Sequence, residues 1–296
     1  MQFGKVDHPE NIDFTLPADA TQTAAILKKH QDETPLEVYI GCAKWNRTDL
    51  KGFYPRGTKD ELAYYATQFN SIELNATFYR MPDWQQVDTW KNKTPEGFKF
   101  FPKITDVITH YRRLIDVKAL VDAFANSVSH FDDKLGMAFL QLPDNFKPKD
   151  IDRLQKVLAD FPKGVPLGVE VRNAEWFKDP VINAYTGLLE QHDMANIIVD
   201  TAGRRDMLHM RLTSPVAFIR YVGANHPSDI GRLDEWVQRI VSWKQLGLKK
   251  LYFFVHQNIE LESPLLAEHF IREINKALDL SLHLPVRQPA QKSMFD

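Results

Sequence analysis

The sequence predicts an α/β fold, a single-domain (β/α)8 TIM barrel preceded by an N-terminal extension that contains a helix. Three observations carry this expectation. Eight short, β-rich apolar runs recur along the 296 residues, amphipathic stretches separate most of them, and no glycine-rich nucleotide turn follows the first run. Apolar runs alternating with helical periodicity imply parallel strands with helical crossovers. Eight such units favour closure into a barrel, a fold of roughly 250 residues as one domain. An open doubly wound sheet would place G-x-G-x-x-G after its first strand. Here that strand enters CAKWNRTDLKGFYP, and no Walker-type G-x-x-x-x-G-K-[ST] occurs, so there is no nucleotide-cofactor motif.

Residues 1–35 make the extension, with a helix expected over Ala18–His30 and placed to close the barrel bottom. The barrel is expected over 36–282 and a C-terminal tail over 283–296. Strand one is VYIGCA, Val38–Ala43, bounded by Pro35. The second run, NSIELNATFY, puts Ser71, Glu73 and Asn75 on one face and Ile72 and Leu74 on the other, as a period of two requires. Strands three to eight are expected at Phe98–Lys103, Gly136–Leu142, Pro166–Arg172, Asn196–Asp200, Val216–Tyr221 and Lys250–Gln257. Helices are expected over Lys59–Phe69, Asp83–Lys93, Val117–Phe131, Asp150–Phe161, Pro180–His192, Leu233–Leu246 and Pro264–Leu278, with Asp150 and Ser263 as N-caps. Thr201–Pro215, after strand six, is short and has no strong apolar stripe.

The hydrophobic fraction of 44% and charged fraction of 26% are ordinary for a soluble globular chain. A formal net charge of −2 argues against a generally basic nucleic-acid coat. The single cysteine, Cys42, excludes an intrachain disulfide and a cysteine-based zinc site, and suits a reducing compartment. Inside an apolar strand it reads as a small hydrophobe rather than a nucleophile. The start, MQFGKVDHPENIDF, lacks the apolar core of a secretory signal. No run reaches the roughly 18 apolar residues of a membrane span. The expectation is a cytoplasmic protein with no membrane partner.

Side chains at the C-terminal ends of barrel strands converge on one active-site mouth. Lys44 ends strand one, with Trp45 next; strand two carries Glu73 and Asn75, and strand three ends at Lys103. Strand four ends at Gln141, strand five carries Glu170 and Arg172, strand six ends at Asp200, strand seven carries Arg220, and strand eight ends at His256 and Asn258. Parallel strands are otherwise nearly continuous in apolar residues, and an unpaired buried charge costs several kcal/mol. These carboxylates therefore pair with cations, meet a ligand or hold a metal. The bland alternative is a structural network in which Lys103, Arg172 and Arg220 neutralise Glu73, Glu170 and Asp200.

The loop after strand one holds Lys44, Arg47, Lys51 and Arg56 against Asp49. The loop after strand three sets Lys103, Arg112 and Arg113 against Asp106, and that after strand six sets Arg204, Arg205 and Arg211 against Asp206. Together they carry +7 in a chain whose net charge is −2. Trp45, Phe53, Tyr54, Phe78, Tyr79, Tyr111 and Trp176 interleave with them. Cations beside flat apolar faces suit phosphorylated sugars, nucleotides or single-stranded nucleic acid.

Glu73, Glu170, Asp200, Lys103 and His110 are the candidate catalytic residues, with the carboxylates and His110 as acids or bases and Lys103 against developing negative charge. Lys44, Trp45, Asn75, Tyr79, Gln141, Arg172, Arg220 and His256 are the candidate substrate-binding residues, His256 also being placed for proton transfer. A retaining glycosidase would need two carboxylates about 5 Å apart, and strand four ends in an amide. No H-x-H or H-E-x-x-H pattern occurs, so no metal ligands are assigned, although Glu73, Glu170, Asp200 and His256 admit a divalent metal. The leading expectation is an enzyme acting on a small anionic, phosphorylated or nucleotide-like substrate by acid–base hydrolysis or isomerisation. The alternatives are a non-catalytic barrel that binds a nucleotide or nucleic acid, and a divalent-metal phosphoesterase.

Several stretches, from about Val38 to about Phe270, resemble an uncharacterised TIM-barrel family known as domain of unknown function 72. IELNATFYRMP is similar to its V-E-[IL]-N-[SAT]-T-F-Y-x-x-P, and IGCAKWNRTDLKGFYP to its opening I-G-x-x-x-W…F-Y-P. KITDVITHYRRL is similar to I-T-H-x-x-[RK]-L, EVRNAEW to E-x-R-x-x-x-W, and LQLPDNF and IVDT to the fourth and sixth strands. The resemblance implies a barrel and supports Glu73, Asn75, Thr77, Tyr79, His110, Glu170, Arg172, Asp200 and Arg220 as matching positions, without supplying a reaction. Two departures stand out. Many members read R-x-H-G in strand seven, where this chain has Val222 at the histidine. Strand eight often ends in F-N-N, where this chain has Val255, His256 and Gln257.

Overall fold

The computed structural model describes residues 3–286, so 287–296 of the expected tail lie outside the described residues. Helix α1 (Thr21–Lys29) precedes β1 (Glu37–Cys42), α2 (Glu61–Gln68), β2 (Ser71–Leu74), α3 (Ala76–Tyr79), α4 (Trp84–Asn92) and β3 (Lys99–Pro102). Then follow α5 (Lys118–Ser129), β4 (Ala138–Gln141), α6 (Ile151–Ala159), β5 (Leu167–Glu170), α7 (Val181–Gln191) and β6 (Ala195–Thr201). The last elements are β7 (Val216–Gly223), α8 (Ser228–Leu246), β8 (Lys250–Gln257) and α9 (Ser263–Leu278). Only the short 3-10 turns of Ala202–Met207 follow β6, as the missing apolar stripe led one to expect.

Local chemistry sets most boundaries. The Asp60 and Asp83 carboxylates accept from the backbone N–H of Ala63 and Gln86 at 3.0 and 2.8 Å, capping α2 and α4. Gly247, at φ +119°, ends α8 in the left-handed region. Asp150 holds the expected N-cap position of α6 but makes no side-chain cap bond, and at α9 the N-cap is Glu262 rather than Ser263. Asp150 turns its carboxylate to Arg153 and Arg113, at 3.1 and 3.4 Å, and Ser263 lies within the first turn of α9, donating to Glu260 at 2.7 Å. The NSIELNATFY run is likewise half strand. Asn75 takes φ −76°, ψ −14°, and the single Thr77 O–H lies between the carbonyls of Leu74 and Lys103, at 2.9 and 2.7 Å, where Ala76–Tyr79 winds into a turn.

The strands are parallel and curl around an apolar interior, with helices on the outside. Six form one sheet in the order β1-β8-β7-β6-β5-β4, and β2 pairs with β3 separately. Isolated bridges Phe100–Leu135 and Lys103–Phe139 connect β3 towards β4. The architecture is TIM-like, but the expected closed eight-stranded hydrogen-bonded barrel is not formed. Between β1 and β2, side chains replace the ladder. Asn70 receives the N–H of Ile40 at 2.9 Å and donates to Val38 O at 2.8 Å, while the Tyr65 hydroxyl accepts from Cys42 N and donates to Ser71 O, at 2.7 and 3.0 Å. Gly41 is needed at this seam, because a Cβ there would lie 2.1 Å from Ser71 O.

Phe101, Met137, Phe139, Ala195, Ile197, Val199, Phe218, Tyr252 and Phe254 fill the interior as a cluster separate from the layer beneath the helices. Strands covered on both faces are buried along their length, which is why they read as continuous apolar runs. The N-terminal extension reaches both ends of the fold. Thr23 of α1 hydrogen-bonds Met210 O at 2.7 Å beside the start of β7, in keeping with the expected position at the bottom. Its first described residues instead lie at the other end, where Gly203 N donates to Gly4 O at 2.7 Å. Among the described residues, no helix is long and apolar enough to cross a membrane.

Candidate active site

Above the apolar interior, the inner faces of the strands change from hydrocarbon to charge. Arg220 on β7 stands at the centre, 1% exposed. Its Nε and Nη2 each donate to Glu73 of β2 at 2.8 Å, and its Nη1 donates to Glu170 of β5 at 2.5 Å. Arg172 Nε donates to the other Glu170 oxygen at 2.6 Å. Glu73 also accepts from Asn75 Nδ2 at 2.8 Å and meets His256 Nε2 of β8 at 2.9 Å. Burial alone would raise both carboxyl pKa values. The Arg220 guanidinium and His256 hold Glu73 well below the usual carboxylate range, and Arg220 and Arg172 lower Glu170. Both glutamates are therefore anions, Glu73 with four hydrogen-bond partner atoms and Glu170 with one on each oxygen.

Lys103, just beyond β3, differs from these groups. Its Nζ donates to Gln141 at 2.7 Å and lies 3.9 Å from the centre of the Phe78 ring. Burial, reinforced by the Arg220 and Arg172 charges, brings its pKa down to about 7. His110, half-buried after β3, takes Thr109 Oγ1 at 2.8 Å and the Phe78 ring edge at 5.0 Å. Burial and the nearby Lys103 and Arg172 charges lower its pKa to about 4, so it is neutral at physiological pH. Arg172 is pulled below the ordinary arginine value by burial, and the ring of Phe3 covers its guanidinium at 3.9 Å.

A cavity of about 670 Å³ opens beside this group, over the ends of β1, β2, β3 and β8. Lys44, Lys103, Asn75, Tyr79 and His256 line it. These five of the sequence-predicted residues share one space, with Gln141, Glu170, Arg172 and Arg220 linked to it through hydrogen bonds or charge. Two predicted residues lie elsewhere. Trp45 packs edge-on against Trp90 of α4, with ring centres 6.2 Å apart. Asp200 faces away from the mouth: its register partner on β7 is Tyr221, whereas Arg220 pairs with Val199. Adjacent residues of a strand point to opposite faces, so the two charges lie on opposite sides of the sheet. Asp200 meets Arg232 Nη2 and Trp236 Nε1 of α8, both at 2.8 Å, and also pairs with Arg205.

The cationic rim is weaker than its sequence count. Arg47 pairs with Glu61, Arg113 with Asp150, Arg204 with Asp144 and Arg211 with Asp179, all acids outside the three counted loops. Lys51 and Arg56 remain exposed. Nor do the four candidate metal ligands converge. Asp200 lies behind the sheet, and the Arg220 guanidinium occupies the position between Glu73 and Glu170 where a cation would be held. Cys42 is buried, which pushes its thiol pKa up and leaves it a poor nucleophile. Sequence reasoning missed Phe3 and Arg232. Arg232 left a signal, a charge three residues after Asp229 on an otherwise apolar helix stripe; Phe3 left none.

The family model described as "Protein of unknown function DUF72" matches residues 39–291, and the chain belongs to this family. The UPF0759 protein YecE of Escherichia coli K12 is 27% identical over 281 residues, covering 87% of this chain and 100% of that protein. The UPF0759 protein YunF of Bacillus subtilis is 29% identical over 152 residues, covering 48% of this chain and 53% of that one. Among solved structures, a DUF72 family protein from Enterococcus faecalis superposes with a TM-score of 0.67 at 18% identity, covering 84% of this chain and all of that one. Another, from Thermotoga maritima, gives 0.65 at 24% identity, with 82% and 100% covered. These structural likenesses bear on the fold alone.

Proposed function

With family membership as the premise, we propose that the mouth is the active site of an intracellular enzyme that converts a small anionic, phosphorylated substrate by acid–base hydrolysis or isomerisation. The observation that carries this reading is Lys103. It is a buried amine on a cavity wall with a pKa of about 7, close to two guanidinium groups. An amine poised near the working pH can both give and take a proton. An arriving anion would favour its charged form, and Lys44, which pairs with Asp49 at 3.4 Å, lines the same cavity. Glu73 and Glu170 act in this reading as positioning groups, because both carboxylates are already tied to Arg220, Glu73 also to Asn75 and His256 and Glu170 also to Arg172. Asn75 and Tyr79 supply polar and aromatic wall, and residues 36–282 form the catalytic unit. The pairing of most loop arginines weighs against the alternative of a nucleic-acid-binding barrel.

The test is conversion of a panel of sugar phosphates and nucleotides, followed by phosphorus NMR. At least one compound should be converted, with a rate that rises with pH through about 7 as Lys103 becomes a free base. Lys103→Met should lower that rate about 100-fold. Binding without conversion of any compound would leave a binding barrel instead. Conversion that requires added Mn²⁺ or Zn²⁺ would favour a phosphoesterase, and conversion undiminished in Lys103→Met would remove Lys103 from the chemistry.

A further inference from the structure

We infer that the cavity takes an anion that also bears a hydroxyl group, and that the hydroxyl is received by Nδ1 of His256. This rests on the proposed anion-binding mouth and names its substrate class: polyol and sugar phosphates rather than simple phosphate esters. His256 lines the cavity and is fully buried. Its Nε2 lies 2.9 Å from a Glu73 oxygen that also accepts from Arg220. A carboxylate held ionised by a guanidinium can only accept, so the imidazole proton resides on Nε2. In the neutral ring this leaves a lone pair on Nδ1, an atom buried without a hydrogen-bond partner among the described residues. A buried polar atom of this kind is costly unless something donates to it, and a site built around it discriminates against ligands that lack the donor.

The rest of the cavity supplies the other half of the recognition. Lys103 and Lys44, the latter paired with Asp49 at 3.4 Å, line the same cavity as His256, placing cationic groups for the anionic end and an acceptor for the hydroxyl in one space. The arrangement also supports proton transfer. When the hydroxyl O–H bond breaks, its electron pair stays on oxygen and the proton forms a bond to Nδ1. The resulting imidazolium lies against the Glu73 carboxylate, which Asn75 and Arg220 hold in position. Glu73 is then a positioning residue and His256 the group that meets substrate.

Isothermal titration of the full-length protein with glycerol 3-phosphate and with propyl phosphate tests this, since the two differ in their hydroxyl groups. Glycerol 3-phosphate should bind about tenfold more tightly. His256→Phe should abolish that preference while retaining propyl phosphate binding. In the wild-type protein, long-range nitrogen–proton NMR should show the Nε2–H tautomer, and the Nδ1 resonance should move with glycerol 3-phosphate but not with propyl phosphate. Equal affinities, or an Nδ1–H tautomer, would overturn the hydroxyl subsite while leaving the anion-binding reading intact. Failure of both phosphates to bind would overturn that reading and this inference with it.

Discussion

Two buried ion networks lie back to back across β6 and β7, and they have different consequences. The inner one joins Arg220 to Glu73 and Glu170 above the apolar interior. The outer one joins Arg232 to Asp200 and Asp229 beneath α8, with Trp236 and Tyr221 donating to the same carboxylates. A shift of one residue along β7, from Arg220 to Tyr221, takes the chain from one to the other. Both remove carboxylates and guanidinium groups from water and join them by short hydrogen bonds, although in the outer one Arg232 Nε is buried with no partner among the described residues. The outer network ties a helix to the sheet. The inner network lies beside a cavity and next to a lysine whose proton is loosely held, which is where the proposed chemistry is placed.

The largest effect should separate the networks by stability and binding together. Arg220→Leu strands two buried carboxylates and should cost upward of about 4 kcal/mol in urea unfolding, because breaking a buried pair leaves an uncompensated charge. Asp200→Asn should cost less, about 3 kcal/mol, since Arg232 retains Asp229 at 2.9 Å. Its folded fraction should bind glycerol 3-phosphate as the wild type does. A loss of binding in Asp200→Asn would break the comparison, by showing that the outer network shapes the mouth.

The same two networks mark what could be read in the sequence. Glu73, Lys103, Glu170, Arg220 and His256 interrupt apolar strands, and the structure brings them to one end of the fold. Asp200 interrupts its strand equally but faces α8. In a strand buried on both faces, neither composition nor alternation says which face a charge occupies; that depends on register with its neighbour, here Val199 with Arg220. Closure is less complete than the run count implies for a related reason. Eight apolar runs announce eight strands, yet the seam between β1 and β2 is sewn by Asn70 and Tyr65, whose bonds depend on three-dimensional approach. The loop charges overstate the rim because their partners come from other segments. The two strand-seven and strand-eight departures, Val222 and His256, prove to be register partners.

A smaller effect concerns Lys103. Its folded pKa of about 7 lies below the ordinary lysine value, so between these values the unfolded chain binds more protons and stability rises with pH. Below about 7 the lysine is charged in both states, and its full desolvation cost is present. Lys103→Met should therefore stabilise the protein by about 2 kcal/mol at pH 6, an advantage that narrows towards pH 10. Denaturant midpoints across that range check the sign. A destabilised variant at pH 6 would place Lys103 among the structural cations of the inner network, and so sharpen the contrast in the opposite sense.

The smallest effect lies where the N-terminal extension meets the inner network. Phe3 covers the Arg172 guanidinium at 3.9 Å, and the family match begins only at residue 39. The contact is thus made by a segment outside the matched span, on an arginine that Glu170 already neutralises. A single cation–π contact contributes about 0.5 to 1 kcal/mol, so Phe3→Ala should shift the unfolding midpoint only slightly. With the ring gone, more of the guanidinium meets solvent, and affinity for glycerol 3-phosphate should rise about twofold to threefold if Arg172 contributes to the field at the cavity. A fall in affinity would instead make Phe3 part of the binding wall, and would extend the inner site to a segment that no strand-end pattern reveals.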